Sequence, residues 1–170
     1  LEWLRTCGGG LLTTCGLTHV GGPEKDEYGE RGLHGLISNL PAEIESVIQP
    51  DPAMGKMDMS ITGIIKESQL FGPSLEMKRT ISGTLGTASM HIRDEVINRG
   101  NTTVPHMILY HCNFGWPLAD EGSTLHWKGD WSPRYPNNNN MIFHPANNFR
   151  ICPATMDEHN GSGEEVGIID

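Results

Sequence analysis

Period-two alternation limits the possible folds of this chain more than any other feature. Met57, Met59 and Ile61 alternate with Asp58, Ser60 and Thr62, the pattern of a strand with one buried and one solvated face. Leu75, Met77 and Ile81 alternate imperfectly with charged Glu76, Lys78 and Arg79. After a break at Gly83 to Gly86, Met90, Ile92 and Val96 resume the pattern with His91, Arg93 and Glu95 opposite, which predicts a hairpin with one exposed face. No segment sustains a 3.6-residue period and no internal repeat is visible. The predicted architecture is all-β and antiparallel.

Three further segments complete this reading. Leu11 to Leu17 is a short strand between glycine clusters, with His19 just past its end as a loop residue. Glu24 to Gly32 reads as a charged loop, and Ile44, Val47 and Ile48 as a strand or a helical turn ended by Pro50 and Pro52. Thr103 to Trp116 reads as a buried core strand, since Val104, Met107, Leu109 and Tyr110 have that character and Gly115 and Pro117 close it. Polar groups in such a run are costly unless satisfied. His111 and Asn113, two apart, share one face of an extended chain and His106 takes the other. The competing reading of His111 is a core histidine with a local hydrogen bond. His34 precedes Gly35, which permits close backbone approach to a ligand, and Asn39 stands before the Leu40-Pro41 turn.

A length of 170 residues suits one domain with a real core, here a single domain, residues 1–170, incomplete at both ends. The formal net charge of −9, without a basic cluster, argues against nucleic acid and anionic membranes, and no apolar run approaches a membrane span. Cys7, Cys15, Cys112 and Cys152 have neither zinc-site spacing nor the density of a disulfide scaffold, which points to a reduced cytoplasm. Gly161-x-Gly163-x-x-x-Gly167 is one residue too long for a dinucleotide fingerprint and no strand precedes it, so no cofactor is expected. Asn137 to Asn140 reads as an exposed turn. Trp127, Trp131 and Tyr135 are aromatics suited to a sugar rim, and would equally serve to cover a sheet edge.

Several blocks together resemble the aldose 1-epimerase-like, DUF4432-type group of the galactose mutarotase superfamily. They are Leu33-His34-Gly35 with Ile37 to Ala42, Leu109 to Gly115, Thr13 to Thr18, and Asp157-Glu158-His159 with Gly161 to Glu165. The resemblance implies an antiparallel β-sandwich of the mutarotase type, here a partial supersandwich around a sugar pocket. It also implies interconversion of sugar anomers, in which a carboxylate takes the anomeric proton while an imidazolium protonates the ring oxygen. By motif, His111 is the acid and His34 its partner in gripping the same region, with Asn39, Asn113, Trp116, Asp157 and His159 as substrate contacts and no metal ligand. Histidine suits the task because its ordinary pKa of about 6.5 lets it give and retake a proton near neutrality.

The chain also departs from the group's pattern. Tyr110 precedes His111 where the superfamily usually has asparagine, and Leu36 follows Gly35 where this group commonly has arginine. The superfamily's base glutamate has no counterpart in these residues, so an isolated chain is expected to hold the acid half of the site and to accelerate mutarotation little. The expected partner is a monosaccharide or sugar derivative, and an oligomer is possible because open strand edges pair readily. Two alternatives stand beside this one. One is a metal-dependent sugar isomerase with His34, His111 and a residue near Asp157 to His159 as ligands. The other is a non-catalytic carbohydrate-binding protein.

Overall fold

The computed structural model describes residues 3, 7–133, 150–152, 154 and 167–170. The expectations for Tyr135, Asn137 to Asn140, Asp157, His159 and the Gly161 to Glu165 loop lie outside these residues. The chain forms two compact units, residues 1–113 and 114–170.

The first unit is built on the predicted alternation. Strands β4 (Glu43–Ile48), β5 (Asp58–Ser68), β6 (Ser74–Thr84) and β7 (Met90–Asn98) form a four-stranded antiparallel sheet in sequence order. The register runs from Asp58 opposite Thr84 to Ser68 opposite Ser74, and from Leu75 opposite Asn98 to Gly83 opposite Met90. Cross-strand partners share a face. One face therefore carries Ile61, Ile65, Met77, Ile81, Ile92 and Val96, and the other Thr62, Lys66, Lys78, His91 and Glu95. The ambiguous spacing of Ile44, Val47 and Ile48 is a strand whose register shifts between Ile44 and Ser46, since a bulge offsets the alternation by one residue.

Part of the apolar face is covered. Strands β1 (Leu12–Leu17) and β8 (Met107–Cys112) pair antiparallel, Leu12 opposite Cys112 and Leu17 opposite Met107. Leu17 packs with Ile37, Leu75 and Met77 into the core, and Ile65, Val96, Val104 and Ile108 close around it. The same sheet face continues past this cover as Ile44, Val47, Met59, Ile61 and Met90, all exposed among the described residues.

Two expectations are corrected. Thr103 to Trp116 contains a strand, but not a buried one: Met107, Leu109 and Tyr110 are 41%, 36% and 48% exposed. Among the described strands β8 pairs with β1 alone. The charged segment 24–32 is a hairpin of β2 (Glu24–Asp26) and β3 (Gly29–Arg31) rather than a loop. Polar contacts do the work there that apolar pairs do elsewhere: Asp26 Oδ1 accepts from Tyr28 N and Oδ2 from Arg31 Nε at 2.9 Å.

In the second unit, β9 (Trp131–Pro133) pairs antiparallel with β10 (Gly167–Ile169), and Thr124 bridges to Ile151. Among the described residues no helix is long and apolar enough to cross a membrane, and Cys7, Cys15 and Cys112 form no disulfide.

Candidate active site

His34 is placed by backbone geometry that begins in the buried polar interior. Glu67, 4% exposed, accepts from Leu17 N at 2.7 Å and from the Thr18 hydroxyl, and Arg31 Nη1 donates to Thr18 Oγ1 at 3.0 Å. This chain of contacts anchors Arg31, three positions before His34. His34 itself takes a left-handed conformation, φ 60°. Its N–H donates to Gly21 O at 2.9 Å, and its carbonyl accepts from Gly16 N at 3.1 Å. Its Nδ1 accepts from Gly21 N at 3.3 Å, so Nε2 is the ring nitrogen that carries the proton.

Gly35 explains the Leu-His-Gly block in physical terms. It forms a parallel bridge with Gly16, its φ is +74°, and a Cβ there would lie 2.5 Å from His19 O and 2.6 Å from Gly16 O. The close approach predicted for this glycine is thus to the protein's own backbone rather than to a ligand. Gly35→Ala is expected to destabilise the fold by at least about 1–3 kcal/mol from the backbone conformation alone, measurable by chemical denaturation, and to displace the His34 ring.

His111 sits opposite Thr13 near the end of β8 and is exposed. The core-histidine reading fails: among the described residues its ring nitrogens have no hydrogen-bond partner. Trp3, unmarked by any motif, joins the two histidines. Its buried indole meets the His34 imidazole edge-on, centroids 4.9 Å apart at 70°, and the His111 imidazole at 6.4 Å and 53°. The two imidazoles can therefore be no farther apart than those two distances end to end. Trp3 Nε1 donates to Ser38 Oγ at 2.9 Å, which fixes the ring from its other end.

The remaining sequence candidates divide. Asn113 Nδ2 donates to Gly10 O at 2.7 Å and lies 3.4 Å from His111 O, so its amide nitrogen ties the end of β8 to the start of β1. Asn39 is exposed in a 3-10 turn, Ile37–Asn39, where its N–H donates to Leu36 O. Trp116 is 79% exposed and belongs to the second unit. One face of the Trp127 ring is covered by the Arg150 guanidinium, 3.8 Å from its centroid. His106 Nδ1 lies 3.3 Å from Leu17 O. His19 is buried in its own loop, with Nε2 2.8 Å from Gly22 O and Nδ1 3.2 Å from Glu24 Oε1. Among the described residues no three His, Cys, Asp or Glu side chains gather as a metal-sized cluster.

A second polar group adjoins β8. Arg79 donates to Asp94 through Nε and Nη2, at 2.8 and 2.7 Å, and Tyr110 donates to Asp94 Oδ2 at 2.7 Å. Burial alone would raise the Asp94 carboxyl, but the hydrogen bonds from Arg79 and Tyr110 hold it below its ordinary 3.8. The sequence signal for this cluster was the break in alternation at Arg79.

A comparison with curated proteins finds no match. A solved structure from Klebsiella pneumoniae subsp. pneumoniae MGH 78578, described as a "putative aldose 1-epimerase", matches at 25% identity with a TM-score of 0.56. The match covers 74% of this chain and 30% of that one, so the chain spans under a third of its length. The fold is the antiparallel β architecture of the galactose mutarotase type. The profile of DUF4432, a domain of unknown function, matches residues 1–165, and the chain belongs to that family.

Proposed function

We propose that this chain is a carbohydrate-active protein of the aldose 1-epimerase kind, carrying the acid half of an anomer-exchanging site. The observation that supports this most is the Trp3 indole in contact with both imidazoles, which brings together two histidines from distant strands and loops.

In the proposed reaction a base takes the proton from the anomeric hydroxyl of a pyranose, and the C1 to ring-oxygen bond breaks. The His111 imidazolium delivers its proton to the departing ring oxygen. The aldehyde rotates about C1–C2, the ring oxygen attacks its other face, and both protons return. His34 grips an oxygen of the same sugar. The base is not assigned to a residue of this chain.

The test is anomer exchange of glucose and galactose followed by NMR, with acetate added to supply a carboxylate base. The expected result is exchange faster than in a protein-free acetate control, with the excess lost in His111→Ala. No excess at any acetate concentration contradicts the catalytic reading. Sugar binding without faster exchange favours the second reading, a non-catalytic carbohydrate-binding protein. That reading draws on the absence, among the described residues, of a carboxylate partner for the His111 ring.

A further inference from the structure

The uncovered part of the four-stranded sheet is the feature of the first unit that its own core does not explain. Ile44 and Val47 of β4, Met59 and Ile61 of β5 and Met90 of β7 share the apolar face and are between 39% and 56% exposed. With the partly exposed Ile81 beside them they present roughly 500 Å² of apolar surface, near the upper end for the largest patch on a monomer. Among the described residues of these strands no charged side chain stands within the patch. Arg79 and Asp94 lie at its border with the covered part and neutralise one another.

The relief of this face identifies what covers it. Ile61 and Ile81 are cross-strand partners at its centre. A hollow of about 380 Å³ on one side of them is lined by Met59, Gly83 and Met90, and a smaller one of about 140 Å³ on the other by Ile44, Gly63 and Ile65. Each hollow lies where a glycine leaves the sheet without a side chain. A ridge flanked by hollows fits a twofold-related copy of itself, the ridge of each copy entering a hollow of the other, as the inner faces of packed sheets interdigitate about 10 Å apart. Charge points the same way. The chain carries −9, so its charged surfaces repel a second copy, and this uncharged face is where two copies meet without that repulsion. The area also fits. A standard interface takes about 800 Å² from each partner and homodimer interfaces are about 65% apolar, which requires roughly the 500 Å² present here.

We propose that this face is a self-association surface, on which two copies of the chain pack sheet against sheet in a symmetric dimer with Ile61 and Ile81 at its centre. Neither hollow is lined by Trp3, His34 or His111, so the inference goes beyond the carbohydrate reading and does not depend on it. It also differs from pairing through open strand edges. The contacts are between side chains, and the outer edges of β4 and β7 take no part in them.

Sedimentation velocity on the 170-residue chain, with Ile61→Glu and Met90→Glu, tests the proposal. At about 100 µM, well above the micromolar limit for an interface of this size, the wild-type chain should sediment at twice its mass of 18.7 kDa. Each variant buries unpaired carboxylates in the dimer and should weaken it at least about 100-fold, leaving monomer at the same concentration. Both side chains are exposed in the single chain, so the circular dichroism of each variant should match wild type. A measurement on the unaltered chain stands beside the variants: in a mixture of isotope-labelled and unlabelled copies, intermolecular methyl contacts should arise from Ile61, Ile81 and Met90. A monomeric wild-type chain overturns the proposal, whether the face is then bare or taken by a different protein. So does a dimer that both folded variants retain, or one whose intermolecular contacts come from the β4 or β7 edge instead of these methyl groups.

Discussion

His111→Ala is expected to abolish measurable protein-dependent anomer exchange while leaving the fold intact. A positioned acid contributes about 10² to 10⁴ in rate, so its removal brings the reaction close to the uncatalysed level. The same substitution should cost little stability. His111 is exposed at the end of a strand, its ring nitrogens have no hydrogen-bond partner among the described residues, and Thr13 pairs with it through the backbone. Exchange spectroscopy on a variant whose circular dichroism and melting temperature match wild type separates loss of chemistry from loss of structure. His34→Ala should behave differently, weakening binding as well as rate, because its ring makes a backbone hydrogen bond and an edge contact with Trp3.

The largest effect on stability is expected from Arg79→Met. The Asp94 side chain is 4% exposed and has Arg79 and Tyr110 as its hydrogen-bond donors. Methionine keeps an apolar stem of similar length but strips the carboxylate of its charge partner. Breaking one side of such a pair costs about 3–5 kcal/mol, because a buried charge is left uncompensated. Urea denaturation measures this as a lower midpoint. The pH dependence has a definite sign. The folded Asp94 carboxyl lies below its ordinary 3.8, so in the wild-type chain its stabilisation is complete above that value. It is lost as the pH falls through the folded pKa. In Arg79→Met burial acts with far less opposition and the carboxyl rises, so the variant is least destabilised in acid. Asp94→Asn removes both dependences.

Much of the fold was legible in the sequence because it depends on alternation, a local property. Asp58 to Thr62, Leu75 to Thr84 and Met90 to Asn98 form strands in the predicted order, and the polar face of β7 is the solvated one. The errors arose where long-range contacts decide. Burial of Met107 to Tyr110 depends on what lies over β8, which no local pattern encodes. The Glu24 to Gly32 hairpin holds through Asp26 and Arg31, whose charges mimic a loop. Gly35 signalled close approach correctly, but the approaching atoms are the backbone of Gly16 and His19, residues from a different segment of the chain.

The candidate site was legible in its residue types more than in its assembly. Motif resemblance singled out His34 and His111, but their common neighbour Trp3 sits in a short leading segment with no period to mark it. Arg79 was visible only as an irregularity in an alternating run.

The central claim is that His34 and His111 belong to one sugar site. The most direct measurement is the NMR titration of their imidazole carbon–proton signals, with the Trp3 indole N–H, as galactose or glucose is added. The account predicts that both imidazoles and the Trp3 indole shift saturably with one common dissociation constant. Sugar binding that moves neither imidazole, or that moves the two with unrelated constants, would contradict it.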